Sequence, residues 1–363
     1  MPKKTIDHLQ VLRCVAASMV LFGHVQHHIV SREFLNKELF VPWDVVYWGG
    51  GVDVFFVISG FIMYFQAKDN FGMKGAPQTF MLRRLKRIVP LYWLFTSCML
   101  LVIWQYGRYV VHSDVSITQI IGSYFFVPVR DPYGTFFPVL IAGWTLNFEM
   151  LFYCIFAFAL NFSRMVGITI LSVLLICLAS ASEWVRGSSP LSFWCNTIVL
   201  EFLLGVLLCE LYLKLGRWSI VTGLAVFSLG ASLMILLKAA GIAEHYWLFR
   251  PIWMGLPAFI LCAGLVFIKP SEKSGLARKV LVLGGDSSYA LYLSHPFVIG
   301  LVSLIFIYLR LDDPRLYMLL TIVASFFGAT LIYWAFERPI GHVLSGRSSL
   351  LTKGRVAPGK AQT

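Results

Sequence analysis

Runs of about twenty predominantly apolar residues recur from one end of this chain to the other, and each is long enough as a helix to cross the hydrocarbon core of a bilayer. The composition agrees, because 58% hydrophobic and 13% charged residues lie far from the roughly 45–50% and 25% of soluble domains. A water-soluble globule cannot hide so much apolar surface. Spread over membrane crossings, 363 residues make one all-α polytopic bundle with short loops. The expected division is a transmembrane domain over 1–344 and a flexible basic tail, rich in Ser, Gly, Lys and Arg, over 345–363.

A window of about twenty residues places ten spans, near 9–29, 47–66, 88–106, 142–161, 166–183, 194–214, 218–238, 248–268, 287–309 and 316–337. The segment 117–128 is too short to cross and is broken by Pro128, so it reads as an interfacial piece of a long loop. Lys3 and Lys4 precede the first apolar run as they would in a signal peptide, but the run is long and no small-residue cleavage site follows, which makes it a retained helix. The seven cysteines sit singly inside apolar runs and read as small core hydrophobes rather than metal ligands.

The net charge of +12 does not indicate nucleic acid, because no binding signature accompanies the basic residues. Topology accounts for them. Ten spans put both termini on one side, and that side with its loops holds 20 Lys and Arg against nine opposite, among them Arg32, Arg130, Lys238 and Arg250. The positive-inside rule then makes both termini cytoplasmic.

A charge inside a span costs about 2.5–3.5 kcal/mol on insertion scales, so the few that remain are the clues to function. They are Arg13, His24, Asp53, Glu149, Glu201 and His295, with Glu210, Asp286 and Glu337 near cytoplasmic ends. Eleven steps of about 100° bring Arg13 and His24 to one helix face at about 16 Å separation. His24 and Asp53 each fall about six residues from an outer end, so the two can meet. A histidine beside a carboxylate is half of an acyl-transfer site, the imidazole taking a hydroxyl proton and the carboxylate fixing its tautomer. The plainer alternative is a packed histidine and a helix-capping aspartate.

On the cytoplasmic side Arg83, Arg84, Lys86 and Arg87 precede the third span, with Arg84 and Arg87 on one face at i, i+3 spacing. Guanidinium forks suit phosphate oxygens, as in a coenzyme A thioester. Topology anchoring and lipid headgroups explain such a cluster equally well. Glu149 and Glu201, with Trp144 and Tyr153 near the first, suit sugar hydroxyls or buried donors. His295 in Ser294-His295-Pro296 marks either a substrate contact or a kink, since Pro296 frees a carbonyl.

Several ordered motifs now resemble a known family. Arg13 and His24 with ten residues between them, Gly51 through Phe61, Arg84-Leu85-Lys86-Arg87 with Pro90-Leu91-Tyr92-Trp93, Trp144-Thr145-Leu146 with Glu149, Ser288 through Pro296, and Glu337-Arg338-Pro339 follow the order seen in the integral membrane acyltransferases of family three. The similarity is greatest to the branch that acetylates exopolysaccharides. It implies acetyl-CoA bound from the cytoplasm as co-substrate, an essential His24 with Arg13 beside it, Arg84 and Arg87 serving the donor, and a sugar hydroxyl as acceptor. It also implies a bacterial inner membrane protein. No hydrolase-like domain follows the last span, which favours direct transfer, with His24 oriented by Asp53 as general base.

Two rival classes make different demands. A transporter or flippase for lipid-linked glycans calls for inverted repeats with paired broken helices, and the two halves show no self-similarity. A glycosyltransferase using a lipid-linked donor calls for acidic metal ligands in a large outer loop, and the longest, 107–141, has only Asp114 and Asp131. No metal site is indicated, and the oligomeric state stays open.

Overall fold

The computed structural model describes residues 7–107, 113–185, 187, 189–242, 249–270 and 275–341. Among these the chain is helical and forms no β-strand. The basic tail expected over 345–363, and Lys3, Lys4, Arg108, Arg186 and Lys273 of the charge tally, lie outside the described residues.

Among the described residues thirteen α-helices organise the bundle: α1 Asp7–Ser31, α2 Gly50–Ala67, α3 Ala76–Tyr106, α4 Ile117–Phe125, α5 Trp144–Ala159, α6 Arg164–Ser180, α7 Pro190–Trp194, α8 Leu200–Lys214, α9 Ile220–Ala239, α10 Leu256–Val266, α11 Leu276–Asp286, α12 Ser288–Leu309 and α13 Pro314–Ile332. Eight helical segments among the described residues are long and apolar enough to cross a membrane. The other two expected spans fall on α8, of 15 residues, and on α10 with the π-turn Pro251–Gly255 before it. Helix α3 begins twelve residues before the span expected from 88, so the Arg83–Arg87 cluster is helical rather than a loop.

Two shells follow from burial. The most apolar stretch of α2 is 72% enclosed by protein, against 17% for α9, so α2 is the axis of the bundle and α9 faces lipid. Helix α1 packs on α2, α11 and α12, α8 on α2, and α9 on α10. The cysteines divide accordingly, with Cys14, Cys195, Cys209 and Cys262 buried but Cys154 and Cys177 on the exposed perimeter.

The amphipathic α4 behaves as an interfacial helix, with Ile117, Ile121 and Phe125 exposed and Gln119 and Ser123 buried. At its end Phe126 adopts the left-handed conformation (φ 58°), which turns the chain so that its ring stacks on Tyr92 at 4.8 Å. The following irregular segment runs into the bundle, burying Val139, Leu140 and Ala142 before α5 begins. Irregular backbone at such a place needs protein partners. Gln119 Nε2 donates to the Phe137 carbonyl (2.9 Å), and the Val139 N–H donates to Ser123 Oγ (2.9 Å).

Helices α2 and α8 cross where Gly60 meets Gly205, each facing a backbone carbonyl of the other helix, Phe202 and Val57 respectively. Small residues let membrane helices approach this closely. Gly60→Val or Gly205→Val forces the axis helix away and is expected to cost about 1–3 kcal/mol or more, as overpacking does. Gly300→Ala, with open space around it, is expected to leave the thermal midpoint of the detergent-solubilised protein unchanged or slightly raised.

Candidate active site

Between α1, α2, α3, α5 and α12 lies a cavity of about 90 Å³. Its polar lining comes from Arg13, Ser59, Arg87, Thr145, Glu149, Tyr153, Ser288, Tyr289 and Tyr292, and its apolar wall mainly from α2. Glu149 accepts hydrogen bonds from Ser59 Oγ (3.2 Å) and from the Tyr153 hydroxyl. Tyr289 donates to the Ile88 carbonyl at 2.8 Å, tying α12 to α3 beside Arg87. The Tyr292 and Thr145 hydroxyls lie 2.9 Å apart.

One helical turn beyond Tyr292 stands His295, its ring centroid 6.2 Å from the tyrosine ring. His295 is 1% exposed, and its Nε2 lies 2.7 Å from His24 Nδ1. Its Nδ1 is 3.1 Å from the carbonyl of Leu291, within its own helix. Helix α12 continues through Pro296, whose missing N–H loosens this turn without ending the helix. His24 itself is exposed, and its Nε2 has no partner among the described residues. The structure thus joins His24 to His295, two residues that the sequence placed in separate spans with separate roles.

Asp53 is not beside His24. The expected dyad is replaced by a bidentate ion pair in which Arg250 Nε and Nη2 donate to Asp53 Oδ1 (2.9 Å) and Oδ2 (2.8 Å). Glu201 shares the same guanidinium at 3.9 Å, and its two buried oxygens accept no hydrogen bond. Two carboxylates on α2 and α8 at similar depth need a cation, and Arg250 at the start of the π-turn supplies it. The cluster lies apart from the cavity lining, so Glu201 is separated from Glu149 and Tyr153.

The two arginines expected to act together are also separated. Arg87 is exposed and lines the cavity, whereas Arg84 is buried, donates to Gln66 Oε1 and lies 5.6 Å over the Phe80 ring. The Nε of Arg84 has no partner. Arg13 is buried, donates to Gln10 at 3.0 Å and reaches the cavity from α1. Trp144 is no part of the lining and packs edge-on against Phe148 at 6.1 Å.

Sequence reasoning missed Arg250, Tyr292, Thr145 and Tyr289 as site residues. The signal for Arg250 was present, since two intramembrane carboxylates at one depth require a basic partner.

A family model described as an acyltransferase domain matches residues 6–334. The exopolysaccharide production protein ExoZ of Rhizobium meliloti (strain 1021) is 33% identical over 312 residues, covering 84% of this chain and 92% of that protein. Nodulation protein 10 of Rhizobium leguminosarum bv. viciae is 24% identical, covering 80% and 82% of the two chains. The acyltransferase MdmB of Streptomyces mycarofaciens is 26% identical, covering 68% and 67%. No solved structure matches.

The ion cluster sets an order of stabilities. Arg250→Met strips both carboxylates of their cation and is expected to cost about 3–5 kcal/mol, as breaking a buried pair does. Asp53→Asn costs less, because Glu201 remains beside the guanidinium. Thermal midpoints check the order; an Asp53→Asn protein of unchanged stability but without turnover would return Asp53 to a direct part in the chemistry.

Proposed function

The chain belongs to the acyltransferase domain family, the integral membrane acyltransferases of family three, and on that premise we propose that it transfers an acetyl or other short acyl group from cytoplasmic acyl-CoA to a sugar hydroxyl. The acceptor we assign is an exopolysaccharide or its lipid-linked precursor, following the 33% identical relative, an exopolysaccharide production protein. The multi-pass bundle resides in a bacterial inner membrane with both termini cytoplasmic, as the asymmetry of its basic residues favours.

The observation that carries this reading is the continuity from Arg87 and Arg13, through the cavity, to Tyr292 and then the His295–His24 pair. Where one water needs about 10–15 Å³, a cavity of about 90 Å³ has room for a short acyl thioester end while the nucleotide stays outside. Arg87, exposed at the cavity, meets the donor's phosphates, and Arg13 supports it from within. Arg84, already held by Gln66 and Phe80, shapes the wall and contributes to donor binding through that shape. Glu149 and Tyr153 belong to the donor cavity rather than to an outer sugar site.

His24 acts as general base. Its Nε2 takes the proton of the sugar hydroxyl as that oxygen attacks the thioester carbonyl carbon. The tetrahedral oxyanion accepts a hydrogen bond from the Tyr292 or Thr145 hydroxyl. The carbon–sulfur bond then breaks, and the leaving thiolate takes the proton from the His24 imidazolium, leaving ester and free thiol. The transporter alternative lacks a supporting observation of this kind.

With labelled acetyl-CoA and purified protein in liposomes, wild type is expected to release thiol and label an added glycan. His24→Ala is expected to lose about 10²–10⁴-fold in turnover. Arg87→Ala is expected chiefly to raise KM for the donor. Full activity in His24→Ala would overturn the catalytic assignment, and glycan translocation without thioester consumption would put the transporter first.

A further inference from the structure

We propose that His295 is the positioning residue of the reaction, fixing His24 as the tautomer whose exposed Nε2 carries the lone pair. The inference rests on the reading of His24 as general base. It follows from the direction of two hydrogen bonds. The Leu291 carbonyl can only accept, so His295 Nδ1, 3.1 Å away, carries a hydrogen. In the neutral ring that leaves Nε2 as an acceptor. His24 Nδ1, 2.7 Å from it, must then donate.

With its hydrogen on Nδ1, His24 has its lone pair on Nε2, the nitrogen without a protein partner on an exposed side chain. The opposite direction of donation would require hydrogens on both His295 nitrogens. That is a full cation at a site 1% exposed, touched by the Tyr292 ring and the Leu291 carbonyl but by no carboxylate among the described residues. An unpaired charge in such an interior is heavily penalised. The backbone of α12 therefore sets the chemistry of a ring on α1.

During transfer the hydroxyl proton arrives at His24 Nε2 and the Nδ1–H stays where it is, still donating to His295. The same bond that selects the tautomer before the reaction holds the ring during it and shares the positive charge of the imidazolium. His295 gains and loses no proton and touches neither substrate.

Two polar replacements separate orientation from packing. The amide of Gln reaches the position of His295 Nε2 and can present an oxygen to His24, whereas the amide of Asn stops at the position of Nδ1, where it satisfies Leu291 but leaves His24 unheld. In the liposome assay His295→Gln is expected to keep kcat within about tenfold of wild type. His295→Asn is expected to lose about 10²–10⁴-fold in kcat with KM for acetyl-CoA unchanged, a loss comparable to that of other sites left with the wrong tautomer. Thermal midpoints and acetyl-CoA binding close to wild type in both variants establish that the loss is not one of folding. Wild-type kcat in His295→Asn, or equal losses in Asn and Gln variants that fold and bind donor, would overturn the proposal. If His24→Ala is inactive while His295→Asn is fully active, the general-base reading stands and only the positioning role falls. If His24→Ala is active, the reading beneath it falls as well.

Discussion

A polar group carried into hydrocarbon must find its partner inside the protein, and nearly every arrangement in this bundle answers to that demand. Asp53 and Glu201 gather on Arg250, tying α2 and α8 to the π-turn before α10. Glu149 is held by Ser59 and Tyr153, and Arg84 by Gln66. Toward the basic face, Tyr64 and Arg164 close on Glu210. Each set crosses between helices, so the intramembrane charges act as registration pins for apolar surfaces that would otherwise slide. What such a network leaves unfilled is informative. The guanidinium of Arg87 is left open at the cavity, and His24 is held among the described residues only by His295, one helical turn beyond the Tyr292 of the cavity's lining.

The cavity is lined by five helices, and the wall from α5 depends on the segment that leads into it. Helix α5 reaches the length of a crossing only together with the short 3-10 turn Ile141–Gly143 before it, and the irregular segment leading into that turn is buried in the bundle. Such a segment is affordable only because α4 offers Gln119 and Ser123 to its backbone. Anchored by Phe126 on Tyr92, it sets Thr145 opposite Tyr292. The interfacial helix and the chemistry at the cavity's end are thereby parts of one construction.

The long apolar runs made the fold class legible, and the first helix carries both Arg13, which reaches the cavity, and His24, which meets His295 of α12. Depth was legible too, but depth does not fix azimuth. His24 and Asp53 lie at comparable depths on adjacent helices, yet each turns to a different neighbour, and only the packing of α12 and of the π-turn decides which. The i, i+3 arginines failed for a related reason. The two positions differ by about 60° around the helix, enough at the boundary of a bundle to bury Arg84 and open Arg87. Helix α11 was missed because its Arg278 and Lys279 and its eleven residues fit no membrane span, although it packs closely on α1.

The exchange of an expected aspartate for a histidine beside His24 has a physical rationale in the same constraint. A carboxylate orients an imidazole well and stabilises its protonated form, but within a membrane bundle it is an anion for the whole of the resting state and needs a cation of its own, as Asp53 needs Arg250. A neutral histidine whose far nitrogen is satisfied by its own helix delivers the orientation with no resting charge. In the proposed mechanism the charge appears only on His24, only while the proton is in transit, and at a side chain more open than that of His295. For an enzyme that works inside hydrocarbon, that partition keeps the pair cheap to bury without giving up control of the tautomer.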